Sequence, residues 1–242
     1  MAPSRRLELA KALANELKER QGRNLVAVGV YGSVARGEER AHSDVDVLVV
    51  VRRPRAAIHH VVRDGVLLTI LQQTPEQARA EVLGARPDLN AALGGWRSLK
   101  PLYDPSGLLR ALMKRAKHPT AAQFREAARR ALIETYEDLG KVRNAVAAED
   151  EEEAREMAIW YSGAAAGALL DLHSHVLRTG RRAFVAIRQY GAVGEAIRRL
   201  RHETLSLEET RRLAEASWAD LLALARRQRV RLPTFAGARG SL

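Results

Sequence analysis

Asp44 and Asp46 stand two residues apart in Ser43-Asp44-Val45-Asp46, where the apolar run Val45 to Val51 begins. On a strand, residues i and i+2 project from one face, so the two carboxylates can converge on a hard cation. Magnesium is the natural guest: it takes oxygen ligands, and when it also holds substrate phosphates it needs only one or two protein carboxylates. Upstream of Asp44, with ten residues between, stands Gly32-Ser33, where a second apolar run, Leu25 to Tyr31, turns into a short helix. Glycine lets a phosphate approach the backbone, and the start of a helix offers free amide donors. Ser33 adds a hydroxyl donor and Arg36 a positive charge. Together these residues can position a nucleoside triphosphate and stabilise a departing pyrophosphate, a task of placement and electrostatics. Each part alone also suits something plainer, an ordinary turn for Gly32-Ser33 and a solvated strand end for the aspartates.

The elements that must hold these groups follow from periodicity. Residues Ser4 to Arg20 place Leu7, Ala10, Leu13 and Leu17 on one stripe, the pattern of an amphipathic helix. Strands are expected at Leu25 to Tyr31, Val45 to Val51 and, after the Asp64-Gly65 turn, Val66 to Leu71. Pro75 to Leu83 reads as a helix, and Leu99 to Tyr103 as a short strand whose Pro101 suits a sheet edge. Asp104-Pro105 is expected to start the next helix, with aspartate at the N-cap. Beyond it the chain reads as helical throughout. Thr120 with Gln123, and Ser206 with Glu209, have capping-box spacing, and Gly180 and Gly191 read as helix stops. The acidic run Glu149 to Glu153 suits a helix N-terminus through the macrodipole. His173 and His175 fall on different faces of an expected helix and so do not chelate one metal. The composition changes at Lys117-His118-Pro119, which divides a nucleotide-handling α/β (α+β) domain with a mixed sheet, residues 1–118, from an all-α helical bundle, residues 119–242. Pro233 to Leu242 reads as a loose tail.

Composition narrows the classes. With no cysteine among 242 residues, disulfides, thiolate zinc sites and cysteine nucleophiles are excluded. The first residues carry no apolar secretory segment, and Met157 to Leu170, closed by Asp171, is too short to span a bilayer, so a cytoplasmic protein with no membrane partner is expected. A formal charge of +11 favours polyanionic partners such as nucleotides or RNA, but the arginines are scattered along amphipathic helices and suit a solvated surface equally well.

Gly32-Ser33, ten residues, then Asp44-x-Asp46, with a strand on each side, resembles the signature of the polymerase-beta-type nucleotidyltransferase superfamily. Gly29-Val30-Tyr31-Gly32-Ser33, Leu102-Tyr103-Asp104-Pro105-Ser106-Gly107 and Tyr136-Glu137-Asp138-Leu139-Gly140-Lys141-Val142-Arg143-Asn144 look like matching stretches of the kanamycin (aminoglycoside) nucleotidyltransferase family, in the same order. The resemblance implies transfer of a nucleoside monophosphate from a magnesium-bound triphosphate, ATP being the expected one, to an acceptor hydroxyl. It implies Glu137 as general base and Lys141, one turn later, as a nucleotide contact; without it, the pair reads as a surface salt bridge. It also implies a homodimer with shared active sites.

The match departs at the metal. Enzymes of the superfamily usually carry a third carboxylate on a following strand, where this chain has Thr69, and a second acidic position of the family aligns near His60. A neutral hydroxyl does not replace a carboxylate on a metal ion, and Asp64 is several residues away. Two readings follow: an active transferase acting on an aminoglycoside-like molecule or on a protein or RNA hydroxyl, and a nucleotide-binding regulatory protein whose catalysis is weakened at Thr69. Aminoglycosides are polycations that a protein at +11 repels at long range, unless acidic groups such as Glu137 and Glu149 to Glu153 line the pocket.

Overall fold

The structure, a computed structural model, describes residues 4–232. The tail expected at Pro233 to Leu242 lies outside them. The chain forms two compact units, one of residues up to Gly84 together with Ala91–Pro119, the other of Ala85–Asn90 and the residues from Thr120 onward.

In the first unit, Ser4 caps helix α1 (Arg5–Gln21) by accepting a hydrogen bond from the Leu7 amide at 3.2 Å. The expected stripe Leu7, Ala10, Leu13 and Leu17 is buried. Its partner is a sheet of five strands: β1 (Leu25–Tyr31), β2 (Val45–Val51), β3 (Ile58–Arg63), β4 (Val66–Gln73) and β5 (Lys100–Tyr103). Their order is β3-β4-β2-β1-β5. The sheet is mixed: β2 and β4 run parallel, while β1/β2, β1/β5 and β3/β4 are antiparallel. Alternate residues Val45, Val47, Val49 and Val51 of β2, with Val66, Leu68 and Ile70 of β4, pack with α1 into one core. The opposite face carries Asp46 and Thr69.

Strand β5 is an edge, as Pro101 requires. The other edge, β3, was not expected, because Ile58 and Val62 are exposed rather than alternating into the core. β4 runs two residues past its expected end. Helix α2 (Gly32–Arg36) follows β1, and α3 (Pro75–Leu83) opens on a Thr74/Gln77 capping box. A further helix, α4 (Leu89–Ser98), escapes sequence reading because the Gly94-Gly95 pair in its middle argues against a helix. Helix α5 (Leu108–Ala116) begins later than Asp104-Pro105 suggests, at the N-cap Gly107. Asp104 still caps it from below: its buried carboxylate accepts from the Leu109 and Arg110 amides at 3.2 and 3.1 Å.

The second unit is helical. Helix α6 (Ala121–Ala147) opens on the expected Thr120/Gln123 box. Helix α7 (Glu151–Leu172) is capped by Asp150, with Glu151, Glu152 and Glu153 in its first turn. It contains Met157 to Leu170, and no described helix is long and apolar enough to cross a membrane. After a 3-10 turn at Gly180–Arg182 come α8 (Ala183–Ala186), a second such turn at Ile187–Tyr190, α9 (Gly191–His202) and α10 (Leu207–Arg227), the last capped by Ser206. Gly180 therefore opens an element rather than ending one, whereas Gly191, at φ of +69°, caps the end of the second 3-10 turn, as expected, and also opens α9. Buried Tyr161 of α7 ties to α10, its hydroxyl 3.0 Å from the Ala214 carbonyl and 2.8 Å from Ser217 Oγ. His173 is the C-cap of α7 and His175 lies beyond it, so they do not sit on a helix. Both meet Tyr190, His173 by stacking at 3.9 Å between centroids and His175 through Nδ1 at 2.9 Å from the phenol oxygen.

Candidate active site

The first unit brings Gly32, Asp44 and Asp46 together by strand register. β1 and β2 pair so that Tyr31 lies opposite Asp46, which puts the turn out of β1 directly beside the second aspartate. Gly32 has φ of +73°, and a Cβ built there would overlap Asp46 Oδ2 far inside van der Waals contact. Two independent demands, left-handed backbone and absent side chain, thus fix glycine at this position.

The row continues across the sheet. Asp46 is level with Thr69 on parallel β4, and Thr69 is level with His60 on antiparallel β3. Paired residues share a face, so Tyr31, Asp46, Thr69 and His60 form one line across four strands. Thr69 Oγ1 stands 3.4 Å from His60 Nδ1. The two positions at which the family pattern expects acids therefore neighbour each other as a hydroxyl and an imidazole. Asp64 does not compensate: it occupies the β3-β4 turn at φ of +50° and faces Arg5 at 3.5 Å.

The aspartates project into a field of their own sign. Burial first, then the charges of Asp46, Glu81 and Asp44, push the Tyr31 phenol up to about 12. Glu81, on α3, is held by Gln73 Nε2 at 2.9 Å. Neither Tyr31 nor Glu81 stood out in the sequence. Tyr31 could have been found from its place next to Gly32, whereas Glu81 gives no local signal. Among the described residues, no three His, Asp or Glu side chains are grouped to hold one metal ion. The half-buried Asp44 makes no hydrogen bond or ion pair among them, and its hard oxygens with those of Asp46 suit a magnesium ion that draws its other ligands from phosphates and water.

The loop between α2 and β2 is fixed from α1, where Arg6 reaches the Ser43 carbonyl through Nε at 2.8 Å. Ser43 Oγ accepts from the Arg40 amide at 2.8 Å. Arg36 is engaged: its Nε donates to Glu38 at 2.8 Å.

In the second unit, Glu137 and Lys141 share a face of α6, with Lys141 Nζ 3.1 Å from Glu137 and 2.8 Å from Asp138. Asp138 is the nearer and the more buried, 15% exposed against 71% for Glu137. Hydrogen bonding to Asp138 first, then Glu137, holds the Lys141 ammonium above its usual range. One turn back, Glu134 is raised by burial and by Asp138, Asp88 and Glu137. The face is thus more acidic than Glu137 alone suggested. Beside it, Tyr136 packs on Trp218 at 5.4 Å between centroids, and Arg143 pairs with Glu215 of α10 at 2.6 and 2.8 Å.

A family model of the nucleotidyltransferase domain matches residues 10–101. The match to this domain takes in most of the first unit and less than half of the chain. The matched segment holds the whole row from Tyr31 to Thr69, so this domain contains every phosphate and metal candidate named from the sequence. The chain is also similar to the aminoglycoside nucleotidyltransferase (4') of a Bacillus species, at 25% identity over 146 residues, covering 60% of this chain and 58% of that protein. The Staphylococcus aureus protein of the same name matches at the same identity and coverage. The alignment therefore spans less than two thirds of these relatives. In fold, the chain resembles a nucleotidyltransferase-like protein from Exiguobacterium sibiricum with a TM-score of 0.61 at 13% identity, over 92% of this chain and 78% of that one.

Proposed function

We propose that this protein transfers a nucleoside monophosphate from a nucleoside triphosphate, ATP in the first instance, to a hydroxyl of an aminoglycoside-like acceptor. The observation that carries the reading is the close approach of Gly32 to Asp46. It leaves backbone rather than side chain beside the carboxylate, so that phosphate oxygens held by the turn's amides would lie next to a metal ligand. Asp44 and Asp46 would hold magnesium, which supplies charge neutralisation on the phosphates. The Gly32-Ser33 turn would hold phosphate oxygens, with Ser33 donating its hydroxyl and Arg36 adding charge. Glu137 would take the proton from the acceptor hydroxyl, and Lys141 would contact the nucleotide. The acidic face of Glu134, Glu137 and Asp138 supports a cationic acceptor despite the overall positive charge. The working form is a cytoplasmic homodimer with shared sites; a protein or RNA hydroxyl is the competing acceptor.

Thr69 and His60 favour a second reading, a nucleotide-binding protein with weakened chemistry. Magnesium-dependent pyrophosphate release, measured with aminoglycosides and other hydroxyl acceptors, separates the two. Turnover supports transfer. Tight binding of magnesium-nucleotide without turnover, with turnover gained in Thr69→Glu, supports the regulatory reading.

A further inference from the structure

The sequence scatters its arginines, but the first unit gathers four of them at the end of the sheet away from Asp44 and Asp46. Leu25, the first residue of β1, pairs with Val51, the last of β2. The 3-10 turn Gly22–Asn24 before β1 and the Arg52-Arg53-Pro54-Arg55 loop after β2 therefore leave the sheet side by side. Hydrogen bonds fix them there. The Asn24 carbonyl accepts from the Arg52 amide at 2.9 Å, Asn24 Oδ1 accepts from the Arg53 amide at 3.0 Å, and Arg52 Nε donates to the Arg23 carbonyl at 3.2 Å. On the other side, the Arg55 amide donates to Gln72 Oε1 of β4 at 3.3 Å. The loop is thus pinned to both strands that flank β2.

The charges face solvent. Arg23, Arg52, Arg53 and Arg55 are all exposed and form no ion pair among the described residues. Of the flanking carboxylates, Glu16 is held by Arg63 at 2.5 and 2.6 Å and Glu76 by Arg79 at 3.6 Å, while the exposed Glu19 is one charge against four. Like charges crowded on bonded backbone repel one another, and a polyanion removes that repulsion. The side chains select the polyanion. A guanidinium is a planar fork that grips phosphate oxygens through two parallel bonds. The turn and the loop contain no aromatic residue on which an unpaired base could stack, which favours a duplex held by its phosphates over a single strand. Ala56 and Ala57, with one larger exposed neighbour in Ile58, give a lipid bilayer little to hold.

We infer that Arg23, Arg52, Arg53 and Arg55 dock the phosphate backbone of a nucleic-acid duplex without reading its sequence. Arg52 lies eight residues along the chain from Asp44, across the length of β2, roughly 25 Å at about 3.3 Å per residue. Docking there needs no nucleotide, so the site stands if the transfer reading fails.

The test is fluorescence anisotropy of a labelled DNA duplex of about 20 base pairs with the full chain, without nucleotide, between about 50 and 200 mM salt. Four neutralised phosphates give an expected slope of log affinity on log salt of about −3.6, a loss of about 150-fold over that range. This readout needs no variant. Arg53→Ala with Arg55→Ala removes no side-chain hydrogen bond among the described residues and should halve the slope, to about −1.8, with an unchanged thermal midpoint. Arg211→Ala with Arg212→Ala, which takes the same charge from exposed positions on α10, should leave the slope near its wild-type value. A single strand of equal length and phosphatidylglycerol vesicles should both bind more weakly than the duplex. No duplex binding at about 50 mM salt, a slope that the loop pair leaves unchanged, equal flattening by both pairs, or tighter binding to the single strand or the vesicles would overturn the inference.

Discussion

Gly32 and Asp46 touch: the α-carbon that begins the turn after β1 lies so close to Asp46 Oδ2 that no side chain fits between them. The contact follows from register, since Tyr31 pairs with Asp46 and the chain must leave β1 beside that carboxylate. Gly32→Ala is therefore expected to impose both left-handed strain and a collision. The combined cost should be about 1–3 kcal/mol in denaturant unfolding. Nucleotide affinity should fall further than stability, because the displaced group is Asp46 itself. An alanine variant with unchanged calorimetric affinity for magnesium-ATP would sink this assignment.

Thr69 gives the opposite kind of test. It stands level with Asp46 on the neighbouring strand, so Thr69→Glu places a carboxylate on the row where the sheet has a hydroxyl. If the metal lacks a ligand there, turnover should rise about tenfold, a gain of about 1.4 kcal/mol in the barrier. Steady-state rates across a magnesium titration read the effect. A fall in rate with unchanged folding would mean that Thr69 and His60 form the working arrangement.

Glu137 is 71% exposed and shares Lys141 with the more buried Asp138. Its loss should barely alter folding, with Glu137→Gln costing at most about 0.5 kcal/mol, as exposed helix pairs do. As general base, however, it should carry a rate effect of about 10²–10⁴-fold. Parallel measurement of unfolding and turnover separates these. A large effect in Asp138→Asn with little in Glu137→Gln would move the role by one residue.

Much of this arrangement was legible in the residues. The spacing from Gly32 to Asp46, the stripe of α1 and the two valine-rich strands each carry their own local pattern. What escaped did so for physical reasons. β3 exposes Ile58 and Val62 at a sheet edge, so no burial period marks it. α4 hides behind paired glycines. Asp138 outranks Glu137 as the partner of Lys141 because of burial, and burial is decided by packing rather than spacing. Glu81 reaches Tyr31 only through the way α3 lies on the sheet.

Asp171 supplies a pH dependence of unusual sign. Burial pushes its carboxyl up to about 8, with Asn90 acting the other way. The folded state thus holds a proton that the unfolded chain releases near its ordinary value of 3.8. Stability from this group is fully present below that lower value and declines as the pH rises towards about 8. Urea midpoints should fall across this window and flatten in Asp171→Asn. A wild-type profile as flat as the variant's would show that Asp171 is ionised throughout.

The account rests on Asp44 and Asp46 holding the metal-bound nucleotide, and pyrophosphate release from magnesium-ATP with an aminoglycoside acceptor tests this most directly. Release should require the divalent ion and the acceptor, and should fall at least about a hundredfold in Asp44→Asn, as loss of a ligand that positions charge on the phosphates demands. Release that is undiminished in Asp44→Asn, or that proceeds equally well in a metal chelator, would contradict it.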